Sequence, residues 1–209
     1  MAIYIDFDDV ICQTNVTLRK IVRERYGRHY EFEDMTQFDL HVSLGLDNVE
    51  YPKFMRLFHE RHLEEIPEIP DACQTILTWH KAGLSPLVVT GRSPSCREAS
   101  LRWLQSHGLG EIPLFHLDKY QRFQGTASDR SIKPDDLRNM KIALAIEDAP
   151  PSVSLLQKWN LCPIALFDRP WNRSIPSSTS LRRFRNWREL AETVPAFLAA
   201  TAATAHSTL

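Results

Sequence analysis

Short apolar runs recur along the chain, at residues 3–6, LVVT (87–90), PLFHL (113–117), IALAIE (142–147) and PIALF (163–167). None alternates with polar residues, which is the pattern of strands covered on both faces in a parallel sheet. Between the later runs, SCREASLRWLQSHGL and PPSVSLLQKWN carry apolar residues three and four positions apart, and the second leads straight into the next run. That spacing predicts helices, and strand and helix in turn predict an α/β fold built on a doubly wound parallel sheet.

The first connection breaks the rhythm. A parallel crossover needs a dozen or so residues, but the stretch from Cys12 to Ser85 is several times longer. TNVTLRKIVRERYG predicts one helix with a glycine stop, NVEYPKFMRLFHERHLEE a second, and DACQTILTWHKAG the crossover helix that returns to the sheet. The expected organisation is therefore an α/β core over 1–12 and 71–198, with a small helical cap inserted at 13–70. NWRELAETVPAFLAA predicts a closing helix, and the Ala/Thr-rich end at 199–209 is expected to be a disordered tail.

Polar residues gather where the predicted strands end. Run one closes on Asp6, Asp8 and Asp9, run two on Thr90, Gly91 and Arg92, and run four on Glu147 and Asp148, with Lys133 on the approach to run four. Ligands in open α/β sheets bind beyond the carboxyl ends of the strands. Two carboxylates 4 Å apart repel by about 4 kcal/mol at an effective dielectric near 20, so such a cluster calls for a cation or solvent beside it. A carboxylate nucleophile, an acid two residues on, a hydroxyl, a lysine and a second acidic pair are the parts of phosphoryl transfer through an aspartyl-phosphate. Convergence of Asp6, Thr90 and Asp148 requires strand one between strands two and four, which gives the order 5-4-1-2-3.

Composition narrows the classes further. The 209 residues are 43% hydrophobic with a formal net charge of −1, enough apolar mass for a substantial core and no basic field to hold a nucleic-acid polymer. No apolar stretch approaches the roughly 20 residues that span a bilayer, so no membrane association is expected. Cys12, Cys73, Cys96 and Cys162 show no CxxC spacing, and the N-terminus lacks a basic region followed by an apolar one. Reduced thiols and a cytoplasmic location are expected. Oligomeric state is not legible.

With these residues in place, the chain resembles the haloacid dehalogenase-type (HAD-like) phosphohydrolases. DFDDV resembles the family's DxDx[TV] first motif, VVTGR the second, Lys133 the third and IEDAPPSV the fourth; together they cover residues 3 to about 160. The helical insertion also sits where the family places one type of cap. LFDRPWNR is similar to a segment of the nucleotidase-like, 5'-deoxyribonucleotidase-related branch, and Asp9 stands where Gly is common. The resemblance implies Mg²⁺ held by the Asp6 carboxylate, the Asp8 main-chain carbonyl and Asp148, with Glu147 behind them. Hard all-oxygen ligation of that kind suits Mg²⁺.

The roles that follow are Asp6 as nucleophile, Asp8 as general acid/base with a raised pKa, Thr90 and Gly91 on the phosphoryl oxygens, Arg92 with Gly91 in substrate binding, and Lys133 neutralising charge. Lys119 in HLDKY competes with Lys133 for the third motif. The expected activity is Mg²⁺-dependent hydrolysis of a small phosphomonoester, a nucleotide if the branch resemblance extends that far. A phosphomutase, a phosphonatase or a catalytically idle binding module are the alternatives, and a phosphoacceptor signalling domain is opposed by the order of its acidic residues. Phe38, in the loop QFDLHVSLGL with Asp39 and His41, is the candidate substrate contact. Tyr26, Tyr30, Phe32 and Phe54 are expected mostly to pack the cap. His59 and His62 lack a third metal ligand and are read as a solvated helix face. The run Arg182, Arg183, Arg185 and Arg188 is read likewise.

Overall fold

The computed structural model describes residues 2–120 and 131–194. Its strands are β1 (Ala2–Ile5), β2 (Ser85–Thr90), β3 (Leu114–Leu117), β4 (Ser131–Ile132), β5 (Ile142–Glu147), β6 (Ile164–Phe167) and β7 (Leu181–Phe184). They form one sheet in the order β4-β3-β2-β1-β5-β6-β7, with every neighbouring pair parallel. The five runs read from sequence keep the expected relative order 5-4-1-2-3. The correction is a further strand at each edge.

Both new strands escaped the apolar-run pattern for physical reasons. β4 is two residues long, too short to carry a signal. β7 reads LRRF, with Leu181 and Phe184 buried and arginines between them. Charge on an edge strand blunts pairing with other chains, so edges lack the continuous apolar character of central strands. The arginine run is thus partly structural: Arg183 donates to Asp168 Oδ1 at 2.8 Å and to Asn172 Oδ1 at 2.7 Å.

β1 is central because each of its faces can be covered. Ile3 and Ile5 enter one hydrophobic cluster and Tyr4 the other, and β5 alternates in the same way through Leu144, Ile146 and Ala145. Register sets Ile5 opposite Val88 on one side and Ile146 on the other, aligning the carboxyl ends of the three strands. The helices are α1 (Thr14–Tyr26), α2 (Leu40–Ser43), α3 (Glu50–Arg61), α4 (Ala72–Lys81), α5 (Arg97–Ser106), α6 (Pro134–Asn139) and α7 (Pro150–Trp159), with a further helix at 187–194. α6 and α7 cover the face carrying Tyr4 through Leu137, Val153 and Leu156.

The other face takes Trp79 of α4, Trp103 of α5 and Trp187 of the closing helix, and also Leu18 of α1 and Phe54 and Phe58 of α3. The helices inserted after β1 therefore share a hydrophobic cluster with the sheet. Fully burying a side chain of this size contributes about 1.5–3 kcal/mol, so detaching the insertion would forfeit several such terms. α1 ends at Gly27, whose φ of 65° is left-handed and whose amide bonds the Arg23 carbonyl, as the glycine stop predicted. The Trp187 indole donates to the Val10 carbonyl at 2.7 Å and so pins the loop that follows β1. No helix among the described residues is long and apolar enough to cross a membrane. The expected tail at 199–209 lies outside the described residues.

Candidate active site

Asp6 leaves the end of β1 with its amide bonded to the Ile146 carbonyl at 2.9 Å, which sets it beside the end of β5. Carboxylate oxygens of Asp6, Glu147 and Asp148 lie within 4.8 Å of one another, all buried. Among them runs Lys119, which follows β3 and whose ammonium donates to Asp6 Oδ1 at 2.6 Å and Glu147 Oε1 at 2.7 Å. Its side chain is 1% exposed. The Tyr4 hydroxyl donates to the same Glu147 oxygen at 2.6 Å, and Glu147 Oε2 accepts from the amides of Asp148 and Ala149. Glu147 thereby organises the turn that follows β5.

One ammonium does not balance three buried carboxylates. Burial first, then the neighbouring Glu147 charge, pushes the Asp6 carboxyl up to about 8. Burial and the Asp6 charge likewise raise Asp148 well above the carboxylate range. For Lys119, burial works against the charge, but Asp6 and Glu147 overcome it and hold the ammonium protonated. A hard divalent cation fits this set: the donors are all oxygen, they converge, and they carry surplus negative charge.

Asp8 points elsewhere. Its side chain is 31% exposed against 6% for Asp6. Arg92 Nε reaches Asp8 Oδ2 at 2.9 Å, a terminal nitrogen of the same guanidinium reaches Oδ1 at 2.7 Å, and the Thr14 hydroxyl also donates to Oδ1. Burial would raise this carboxyl, but the Arg92 charge and the hydrogen bonds outweigh it and hold the group below its usual range. That corrects the expected raised pKa. The neighbouring carboxylates were weighed, while the arginine that faces Asp8 from just beyond β2, 84 residues on, could be placed there only by the fold. Arg92 is fixed in turn by Ser100 at 3.1 Å and by the Phe7 ring, whose centroid lies 4.1 Å from the guanidinium carbon.

Asp9 adopts φ 54°. This left-handed position explains why glycine suits it; here the Asn15 amide bonds Asp9 Oδ1 at 2.9 Å and Arg169 grips the Asp9 carbonyl at 2.6 and 2.9 Å. Thr90 is fully buried and its hydroxyl accepts from the Arg92 amide at 3.1 Å. Gly91 and Arg92 line the cavity above Asp6. A Cβ on Gly91 would come within 2.5 Å of Tyr120 Cε2, so only glycine lets that ring approach.

Lys133 is exposed, and its amide bonds Asp136 at the start of α6. It follows β4 at the sheet edge, three strand spacings from β1, or about 14 Å. The lysine against Asp6 is Lys119, so the structure reverses the sequence preference between the two.

Above Asp6, Asp8 and Asp148 lies a cavity of about 150 Å³, roofed by the inserted helices through Phe38, Leu40, Tyr51, Met55 and Phe58. Phe38 tilts against Tyr120 with ring centroids 5.7 Å apart. His59 also lines the cavity, which corrects its reading as a solvated residue. Burial lowers its pKa against the pull of Asp8. His62, by contrast, sits at the end of α3, 3.6 Å from Glu65. The remaining wall comes from DRPWNR: the Trp171 indole donates to Asp148 Oδ2 at 2.9 Å, and the Asn172 amide bridges the carbonyls of Asp148 and Phe167, each at 2.8 Å.

Sequence reasoning assigned no role to Tyr4 or Tyr120, read His59 as solvated, and placed Trp171 only within the DRPWNR segment expected to border the entrance. Tyr4 carried the clearest signal, since a tyrosine inside a fully buried strand must find a partner for its hydroxyl. For the others, helical periodicity and loop composition do not distinguish a residue aimed at the site from one packed in the core.

The sheet order and the insertion after β1 make a fold similar to that of solved HAD-like hydrolases. No family model matches the chain. A protein of Halalkalibacterium halodurans provisionally named a nucleotidase is 23% identical over 185 residues, 88% of each chain. Among solved structures, the haloacid dehalogenase-like hydrolase SP0104 of Streptococcus pneumoniae superposes with a TM-score of 0.61 at 11% identity, covering 92% of this chain and 97% of that one. The D,D-heptose 1,7-bisphosphate phosphatase of B. bronchiseptica, crystallised with magnesium and phosphate, gives 0.52 at 12% identity over 93% and 98%.

Proposed function

We propose that the chain is a Mg²⁺-dependent phosphatase that hydrolyses a small phosphomonoester, a nucleotide being the favoured substrate, through an aspartyl-phosphate on Asp6. The observation that carries this reading is Asp6 itself: a buried carboxylate held by Lys119 at 2.6 Å, beside Glu147 and Asp148, opening into a roofed cavity. In the first step an Asp6 carboxylate oxygen forms a bond to phosphorus as the bond from phosphorus to the ester oxygen breaks, and that oxygen takes a proton that Asp8, held ionised by Arg92, must first acquire from solvent. In the second step water attacks the phosphorus, Asp8 takes its proton, and the Asp6 carboxylate is released with inorganic phosphate. Asp8 is well placed for the second step, because Arg92 keeps it ionised and ready to accept a proton.

The Asp6 and Asp148 carboxylates and the Asp8 main-chain carbonyl would hold the Mg²⁺, with Glu147 behind them. A bound Mg²⁺ supplies charge neutralisation for the carboxylates and the phosphoryl group. Lys119 offsets negative charge on the nucleophile, and the Gly91 amide, with Thr90 behind it, holds phosphoryl oxygens. The inserted helices act as a cap that excludes water from the site. A nucleotide is favoured by the aromatic and aliphatic roof, by Phe38 in particular, and by the likeness to the protein named as a nucleotidase. The test is phosphate release from a panel of nucleoside monophosphates, sugar phosphates and p-nitrophenyl phosphate, with Mg²⁺ and with EDTA. Mg²⁺-dependent release is expected, highest on a nucleotide; no release from any ester with Mg²⁺ present would refute the phosphatase reading.

A further inference from the structure

Trp171 takes no part in the chemistry above, yet it holds one of the carboxylates on which that chemistry depends. Its indole N–H donates to Asp148 Oδ2 at 2.9 Å, with the side chain almost wholly buried. An indole can only donate, and a buried one requires an acceptor. The acceptor here is a carboxylate that must also face the cation.

The ring has little freedom to adopt another arrangement. Pro170 opens the short helical turn Pro170–Asn172 that carries it. Asn172 ties this turn to the Asp148 and Phe167 carbonyls, and Arg183 holds Asn172 Oδ1 at 2.7 Å from β7. From the inserted segment the Phe32 ring meets the indole edge-on, with centroids 5.9 Å apart.

We propose that Trp171 is a positioning residue for the cation: by occupying Oδ2 of Asp148 it presents Oδ1 to the metal, and its N–H responds when the metal binds. The chemistry of the donor explains the choice. A lysine or arginine at this place would fix the carboxylate equally well but would bring a positive charge that competes with the cation, as Lys119 does at Glu147. A neutral N–H orients Asp148 and leaves its charge for the metal. Donors of this kind, one step behind the ligands, typically change metal affinity 10- to 100-fold when removed.

The inference rests on the Mg²⁺-dependent reading, so its test separates the two. Mg²⁺ is titrated into the whole protein by calorimetry and, on ¹⁵N-labelled protein, while the indole N–H resonances are followed. The Trp171 resonance, identified by its proximity to the Phe32 ring, is expected to shift saturably with the calorimetric Kd. That of Trp103, bonded to the Ile66 carbonyl, should stay fixed. Trp171→Phe keeps a ring against Phe32 and removes the donor; its Kd for Mg²⁺ is expected to rise 10- to 100-fold, measured without substrate or turnover. Equal Kd values for the two proteins would overturn the proposal while leaving the phosphatase reading intact. Should Trp171→Phe not fold, a wild-type Trp171 resonance that stays fixed through calorimetric saturation overturns it equally. No Mg²⁺ binding by the wild type would defeat the underlying reading itself.

Discussion

The floor and the roof of the cavity are built on opposite principles. The floor consists of Asp6, Lys119, Glu147 and Asp148, standing at or just beyond the carboxyl ends of β1, β3 and β5, with one ammonium bonded to Asp6 and Glu147 at 2.6 and 2.7 Å. The roof consists of apolar and aromatic side chains from α3 and the loop around Phe38, brought in by helices whose buried faces belong to the sheet's own core. Sheet register dictates where the floor's charges meet, and a slip of one residue would turn each side chain to the opposite face. The roof answers only to packing, which many apolar side chains satisfy. On the proposed reading, reaction type would reside in the floor, and selection among esters in the roof.

The largest expected effect breaks the floor at the proposed nucleophile. Asp6→Asn should abolish turnover, because an amide oxygen does not form the covalent intermediate. Asp8→Asn should lower turnover of an alkyl phosphate by roughly 10² to 10⁴, the usual worth of general acid/base catalysis, with a smaller loss on p-nitrophenyl phosphate, whose leaving group needs less protonation. Steady-state kinetics on both esters checks this, and an unimpaired Asp8→Asn on the alkyl ester would remove Asp8 from the mechanism.

Next comes the ammonium. Lys119→Met leaves buried carboxylates without their partner, and breaking a buried ion pair from one side typically costs about 3–5 kcal/mol. Lys133→Met, on an exposed side chain, should change stability by no more than about 0.5 kcal/mol and leave turnover unaltered. Urea denaturation near neutral pH together with the phosphate-release assay separates the two lysines. A loss of activity in Lys133→Met with full activity in Lys119→Met would reverse their assignment.

A smaller effect probes the roof. Base stacking on an aromatic ring contributes about 1–3 kcal/mol, so Phe38→Ala should raise KM for a nucleotide by roughly 5- to 150-fold while sparing a small generic phosphate. Equal losses on both would mean that Phe38 supports the roof rather than the substrate, through its contact with Tyr120.

This division also explains what could be read from sequence. Asp6, Glu147 and Asp148 were legible because buried strands advertise themselves as apolar runs and their polar ends stand out against them. Arg92 was found by the same means, but its hold on Asp8 was not, since nothing in the chain says which way a side chain leaves the strand end. Lys119 and Lys133 both lie near strand ends, and nothing in the chain says which reaches Asp6; Lys133 is carried to the sheet edge by β4, a two-residue strand with no sequence signal of its own. His59 was indistinguishable from a solvated helical position because only the pose of α3 over the sheet turns it toward Asp8. Trp171 lay inside a segment already singled out as unusual, but its hydrogen bond to Asp148 follows from the loop's fold.

The smallest effect, measured per unit of pH, sharpens the comparison within the floor. In the cation-free protein Asp6 is pushed up to about 8, first by burial and then by Glu147, whereas an unfolded Asp titrates near 3.9. Between those values the native state binds more protons than the unfolded state, so Asp6 makes stability fall as pH rises, by at most about 1.4 kcal/mol per pH unit. Asp148, also raised, acts with the same sign. Asp8, held low against burial by Arg92, acts oppositely: its contribution is present above the unfolded value and is lost as pH falls through its native one. From pH 5 to 8 the Asp6 term should thus appear as a decline in urea midpoint that is shallower in Asp6→Asn. Saturating Mg²⁺ should flatten the wild-type decline, because a bound cation favours the ionised carboxylates. A wild-type decline that matches Asp6→Asn throughout, or one untouched by Mg²⁺, would show that these carboxylates do not carry the strain assigned to the floor.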